Sequence, residues 1–130
     1  MRLRGVTVDD LIGKPFLRGG RGPDAYDCAG LVVEVMRRRG INLTIPDTPA
    51  AESDQLTAMR AILATQWVDV PRAFAGCVVF FKPQHVAVML SPTRFIHVAE
   101  DVGQVCIERL EGAIWPRRFV GFYEYGGPKR

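Results

Sequence analysis

Cys28, His85 and His97 are the residues whose types could do chemistry together in this chain, which holds three cysteines and only two histidines. A thiol attacks a carbonyl as thiolate. It needs a base within hydrogen-bond reach, and the base gains from a third group that fixes its tautomer and orientation. Cys28, His85 and His97 can fill those roles in that order. Cys28 opens the stretch Cys28-Ala29-Gly30-Leu31-Val32-Val33-Glu34-Val35-Met36, in which Leu31, Val32, Val35 and Met36 recur at the spacing of one buried helical face. A thiol in the first turn of a helix meets unpaired backbone N–H groups and the positive end of the macrodipole, and both favour thiolate.

The same residues have other uses. A lone helical cysteine is more often a small buried hydrophobe than a nucleophile, and a single histidine is more often structural than catalytic. A zinc site built from His85, His97 and one or two cysteines competes for the same side chains, but no pair has the close local spacing of zinc ligands. Cys77 and Cys106 sit inside apolar runs and read as inert core. No metal and no cofactor is expected.

The elements that must position these residues follow from pattern. Asp27 is a suitable N-cap for the Cys28 helix, Arg37 to Arg39 suit the negative end of its dipole, and Gly40 is a suitable stop. Before it, Val6 to Ile12 reads as a short helix capped by Thr7. Residues 14–25, with three glycines and two prolines, form a loop that delivers the chain to Cys28. These glycines would permit close approach of a ligand, or serve an ordinary surface loop. Ala51 to Gln66 reads as a second amphipathic helix.

From Trp67 onward the period changes. Trp67 to Val70, Cys77 to Phe81, His85 to Leu90, Phe95 to Ala99, Val105 to Leu110 and Phe119 to Tyr125 are short β-favourable runs, consistent with a meander of five or six antiparallel strands. The two histidines lie on consecutive runs. If the connection around Ser91 to Arg94 is effectively three residues long, His97 stands opposite Ala87 and diagonal to His85 on one face. A two- or four-residue connection would put the rings on opposite faces. The whole is an α+β domain with N-terminal helices and the Cys28 helix packed on the sheet.

Composition bounds the rest. At 130 residues and 48% hydrophobic side chains, the chain fits a single domain, residues 1–130, with a core that needs no disulfide or metal. Scattered cysteines suit a reducing compartment. The net charge of +3 lies in arginine clusters without interleaved aromatics, which read as solvated faces rather than as a nucleic-acid surface. A polyanionic surface such as a cell wall suits the same charge. No run is long enough for a membrane span, and Met1 to Asp10 lacks the apolar core of a signal peptide, so the chain is expected to be made in the cytoplasm.

Gly13 to Gly20, Tyr26 to Leu31, Gly76 to Phe81, His85 to Leu90 and Phe95 to His97 resemble, in order and spacing, the NlpC-type cell-wall peptidases, over nearly the whole chain. These are papain-like cysteine endopeptidases that cut peptidoglycan stem peptides, typically beside the D-glutamyl residue. The resemblance implies Cys28 as nucleophile, His85 as general base, His97 as the polar residue that orients it, and Phe16, Tyr26, Asp27 and Ala29 as substrate-binding positions. The family usually has Ser at Ala29, Tyr at Phe16 and Asp at Cys77, so a shifted substrate preference is expected. Export without a signal peptide implies a carrier. The chain is similar to single-domain members associated with phage tails, so tail-tip or hub proteins are expected partners beside the stem peptide. A tail-tip component with the same fold and little turnover, and a papain-like amidase or acyltransferase on another substrate, are the competing readings.

Overall fold

The computed structural model describes residues 2, 3, 5–43, 67–83 and 85–126 of the chain. The stretch opened by the cysteine is helix α1, Cys28–Arg38. Asp27 caps it as its sequence position predicts, with Oδ1 accepting from the Gly30 amide at 2.6 Å. The cap is buried, and Arg21 Nη1 stands 2.7 and 2.8 Å from its two carboxylate oxygens, so the charge is paired where water cannot reach it. At the far end Gly40 takes φ +85°. Its amide donates to the Arg37 carbonyl and the Ile41 amide to the Met36 carbonyl, both at 2.9 Å, which closes the last turn as a Schellman motif.

Leu31, Val32, Val35 and Met36 are all buried, each contributing about 1.5–3 kcal/mol of hydrophobic stabilisation. The arginines that follow are not a uniformly solvated face. Arg37 is exposed and pairs with Glu34. Arg38 bridges Glu34 and Asp10, and its side chain also reaches the Thr7 carbonyl. Arg39, with a side chain only 2% exposed, donates to the Gly76 carbonyl at 2.6 Å.

The helix predicted over Val6 to Ile12 does not form. Val6–Thr7 is strand β2, paired antiparallel with β1, Arg2–Leu3, and only a 3-10 turn follows over Asp9–Leu11. Thr7 Oγ1 still accepts from the Asp9 amide, at 3.4 Å. The pairing lets Leu3, Val8 and Leu11 all reach the core, which one helical face over this short segment would not achieve. The predicted helix over 51–66 lies outside the described residues.

Residues 14–25 are a loop, and its glycines serve the fold itself. The Gly20 carbonyl accepts from the Asp27 amide at 3.0 Å and lies against Gly30 so closely that a Cβ on Gly30 would collide with it. The two glycines thus let the loop backbone lie on the first turn of α1, directly beside Cys28.

Six strands make one antiparallel sheet: β3 Trp67–Val70, β4 Val78–Phe81, β5 His85–Met89, β6 Arg94–His97, β7 Cys106–Arg109 and β8 Phe119–Tyr125. The spatial order is β3-β8-β4-β5-β6-β7. It is therefore not a simple meander. The last strand returns between β3 and β4, and its Tyr125 and Tyr123 rings pack edge-on against Trp67 and Phe80. A short helix, α2, spans Trp115–Arg118 with Pro116 in its first turn; no apolar period announces it. Alternation divides the sheet into two faces. Val78, Phe80, Val86, Val88 and Ile96 join the α1 core, whereas Val79, Phe81, Ala87, Met89 and Phe95 form a second cluster with Trp115.

Gly30→Ala tests the close approach beside the nucleophile helix. Helix propensity alone favours Ala by about 1 kcal/mol, while collision with the Gly20 carbonyl costs about 1–3 kcal/mol. Denaturant titration is expected to show net destabilisation. Net stabilisation would contradict the packing described.

Candidate active site

His85 and His97 come together as the three-residue connection predicts. Val88 pairs with Ile96 and Met89 with Phe95, and Leu90 donates to the Arg94 carbonyl at 2.8 Å, leaving residues 91–93 as the turn. The register puts both imidazoles on one face, with His85 Nε2 2.8 Å from His97 Nδ1. Both rings are buried. Trp115 stacks on His85 and meets His97 edge-on, and Phe81 and Phe95 complete the aromatic wall.

A further partner, unassigned by sequence, is Glu108. On β7, Cys106 stands opposite His97 and Glu108 opposite Phe95, so the Glu108 carboxylate reaches His97 diagonally, with Oε2 2.5 Å from Nε2. Its other oxygen accepts from the Trp115 indole N–H at 3.1 Å. Alternation alone would have put Cys106 and Glu108 on one face, but the length of the 98–105 connection left the register against His97 open. Cys106 is not the inert core residue expected. It is half-buried, with Sγ 3.5 Å from His97 Nε2. Cys77 is fully buried as expected, and burial raises its thiol pKa.

Donor and acceptor chemistry assigns the tautomers. A carboxylate only accepts, so His97 Nε2 carries the proton that faces Glu108. Burial lowers the pKa of His97 even against the opposing hydrogen bond and charge of Glu108. Its neutral ring therefore presents Nδ1 as acceptor, and His85 donates from Nε2. That leaves the lone pair of His85 on Nδ1. His85 itself is held neutral, its pKa lowered to about 3 by burial first, then by the repulsion it would meet from a protonated His97 and from Arg118.

Cys28 is half-buried at the head of α1. Arg39, just past the other end of this helix, bonds Gly76, whose amide donates to the Met89 carbonyl at the end of β5. Cys28 packs with the α1 core, on the sheet face of Val86, Val88 and Ile96, whereas the His85 and His97 rings stand on the other face with Phe81, Phe95 and Trp115. Of the positions expected to hold substrate, Tyr26, Asp27 and Ala29 are buried and Phe16 is half-buried. Asp27 is occupied in capping α1 and pairing with Arg21.

The neutral state of both histidines has a sign. The unfolded chain takes up protons near the ordinary imidazole value of about 6.5, while folded His85 resists until about 3. Stability from this pair is full above about pH 6.5 and is lost as pH falls toward 3. Thermal midpoints are expected to drop already between pH 7 and 5, before most carboxylates titrate. A flat profile over that interval would contradict the assignment.

Comparison with known proteins agrees with this architecture. The model of the NlpC/P60 family matches residues 13–124. A protein named probable endopeptidase p60 from Listeria innocua is 30% identical over 115 residues, covering 85% of this chain and 22% of that protein. The chain thus spans about a fifth of the length of that relative. Probable endopeptidase NlpC of Escherichia coli K12 is 30% identical over 113 residues, covering 82% of this chain and 66% of the relative. A solved Staphylococcus aureus structure, described as similar to lipoprotein, NLP/P60 family, superposes with a TM-score of 0.63 at 28% identity, covering 91% of this chain and 38% of that one. The NlpC/p60 domain of peptidoglycan hydrolase SagA shares the fold, with a TM-score of 0.54 at 23% identity and 87% coverage of both chains. Among the described residues no helix is long and apolar enough to cross a membrane. With its family model spanning nearly the whole sequence and its fold shared with solved members, the chain belongs to the NlpC/P60 family.

Proposed function

We propose that this chain is a cysteine peptidase that hydrolyses peptide bonds in peptidoglycan stem peptides. The observation that carries this reading is the ordered hydrogen-bond chain from Glu108 through His97 to His85, with Cys28 heading the helix that packs on the same sheet. Family membership supports the substrate class, since relatives are named endopeptidases and peptidoglycan hydrolases.

The reaction is acyl transfer. In the roles that the family resemblance implies, His85 enters as a neutral base and takes the Cys28 thiol proton on Nδ1 as sulfur attacks the amide carbonyl. Burial opposes the imidazolium formed, and its Nε2–H bond to His97, backed by the Glu108 charge, offsets part of that cost. Backbone N–H groups, that of Cys28 in the first turn of α1 among them, hold the oxyanion. His85 then returns the proton to the leaving amine, and the thioester is hydrolysed by a water that the same imidazole activates. His97 and Glu108 act as positioning residues, each through the ring in front of it. Holding the tautomer fixed spares the site any reorganisation when charge develops.

Two finer readings come from the resemblance of the sequence: cleavage beside D-glutamyl, and carriage on a phage tail or tail-like particle to the wall. Mass spectrometry of soluble fragments released from purified sacculi reads the bond. Wild type is expected to release fragments ending beside D-glutamyl, and Cys28→Ala and His85→Ala to release none. Release that survives Cys28→Ala would overturn the peptidase reading, and a folded wild type that releases nothing would favour a structural role. Absence of the protein from purified particles would remove the tail reading alone.

Glu108→Gln keeps the shape but removes the charge. We expect kcat to fall roughly 10- to 100-fold while KM stays within about twofold, with Trp115→Phe giving a smaller loss of the same kind. An unchanged kcat would remove Glu108 from the reaction.

A further inference from the structure

His97, Cys106 and Glu108 place three ligating atoms on one face at the exposed edge of the sheet, all within 4.8 Å of one another. Cys106 Sγ is 3.5 Å from His97 Nε2 and 3.9 Å from Glu108 Oε2. Around a tetrahedral zinc ion, with bonds of about 2.0 Å to nitrogen or oxygen and 2.3 Å to sulfur, neighbouring ligand atoms lie about 3.3–3.6 Å apart. Two of the three separations therefore come close to those of a metal site as they stand. The third, the His97–Glu108 hydrogen bond at 2.5 Å, must open by about 1 Å. Glu108 can supply that movement, because it lies on β7, the edge strand, with a side chain 37% exposed. One thiolate and one carboxylate balance a divalent charge, and an imidazole beside a thiolate suits zinc better than magnesium or calcium.

Occupation would act on the histidine tautomers. His97 would coordinate through Nε2, the nitrogen that otherwise carries its proton. The other nitrogen of a ligating histidine normally donates its hydrogen to a neighbour, and here that neighbour is His85 Nε2. We propose that His97, Cys106 and Glu108 form a binding site for Zn2+ whose occupation disables the base, by reversing the tautomers of both histidines. In the metal-free state the protons sit on Nε2 of His97 and Nε2 of His85. In the metal-bound state they sit on Nδ1 of His97 and Nδ1 of His85, so the nitrogen meant for the Cys28 thiol holds a proton already. Both rings stay neutral, and the single proton released to solvent is that of the Cys106 thiol. No electron transfer is involved.

The regulatory half of this inference rests on the peptidase reading, whereas the metal site stands without it, and two measurements separate them. Co2+ added to the Cys28→Ala protein is expected to give a near-ultraviolet thiolate-to-cobalt band at one equivalent, displaced by Zn2+. The band is expected to vanish in the Cys28→Ala, Cys106→Ala double variant. A protein that gives no band, or a band that survives loss of Cys106, would overturn the site. In fragment release from sacculi, Cys106→Ala is expected to keep basal activity and to need at least tenfold more Zn2+ for half-inhibition than wild type. Equal inhibition of both would place the inhibitory metal on the Cys28 thiol and overturn the switch. If wild type releases no fragments, the peptidase reading fails with the switch built on it, while the cobalt spectrum still decides the site.

Discussion

The contact on which the site depends is the hydrogen bond from His97 to Glu108. A neutral imidazole has one proton and two nitrogens, and nothing in the ring decides which nitrogen holds it. The carboxylate decides it for His97, and His97 decides it for His85 through the 2.8 Å contact between them. A charge on an edge strand thereby sets which face of a buried ring is basic. The aromatic enclosure matters to the same end. Trp115 walls both imidazoles from water and also fixes Glu108 through its indole N–H, so the side chain that dries the site also orients the charge that controls it.

The rest of the fold serves alignment. The α1 helix is tied at its head by the Asp27 cap and the Gly20 carbonyl, and at its tail by the Schellman closure and by Arg39 on Gly76. Both ends are fixed by directional bonds, so apolar packing along its length cannot let it slide. The same Gly76 is joined to the end of β5, and helix and strand share one origin. Arg38 binds the N-terminal ribbon to the helix through Asp10, and that ion pair holds the Asp10 carboxyl below its usual pKa.

What could be read from the sequence was what local chemistry decides. The Cys28 helix announced itself by its apolar period, its Asp27 cap and its Gly40 stop, each set within a turn or two. The facing of the two histidines was legible because a three-residue turn fixes parity over a short hairpin. Glu108 and Trp115 were not legible, since their approach depends on how β7 and α2 return after long connections that carry no register signal. The insertion of β8 between β3 and β4 is likewise a tertiary choice, made by packing of Tyr123 and Tyr125 rather than by any turn. Val6 to Ile12 misled because two residues of strand pairing with Leu3 outweighed a weak helical pattern. Cys106 looked like core because its run is apolar, and only its pairing with His97 shows that it borders the site.

Glu108 dictates the tautomers of both histidines, and nitrogen-15 NMR of the imidazoles in the metal-free protein at pH 7 reads them out. Two neutral rings are expected, each protonated on Nε2 with an unprotonated Nδ1. A proton on Nδ1 of either ring, or a doubly protonated His85, would contradict that assignment.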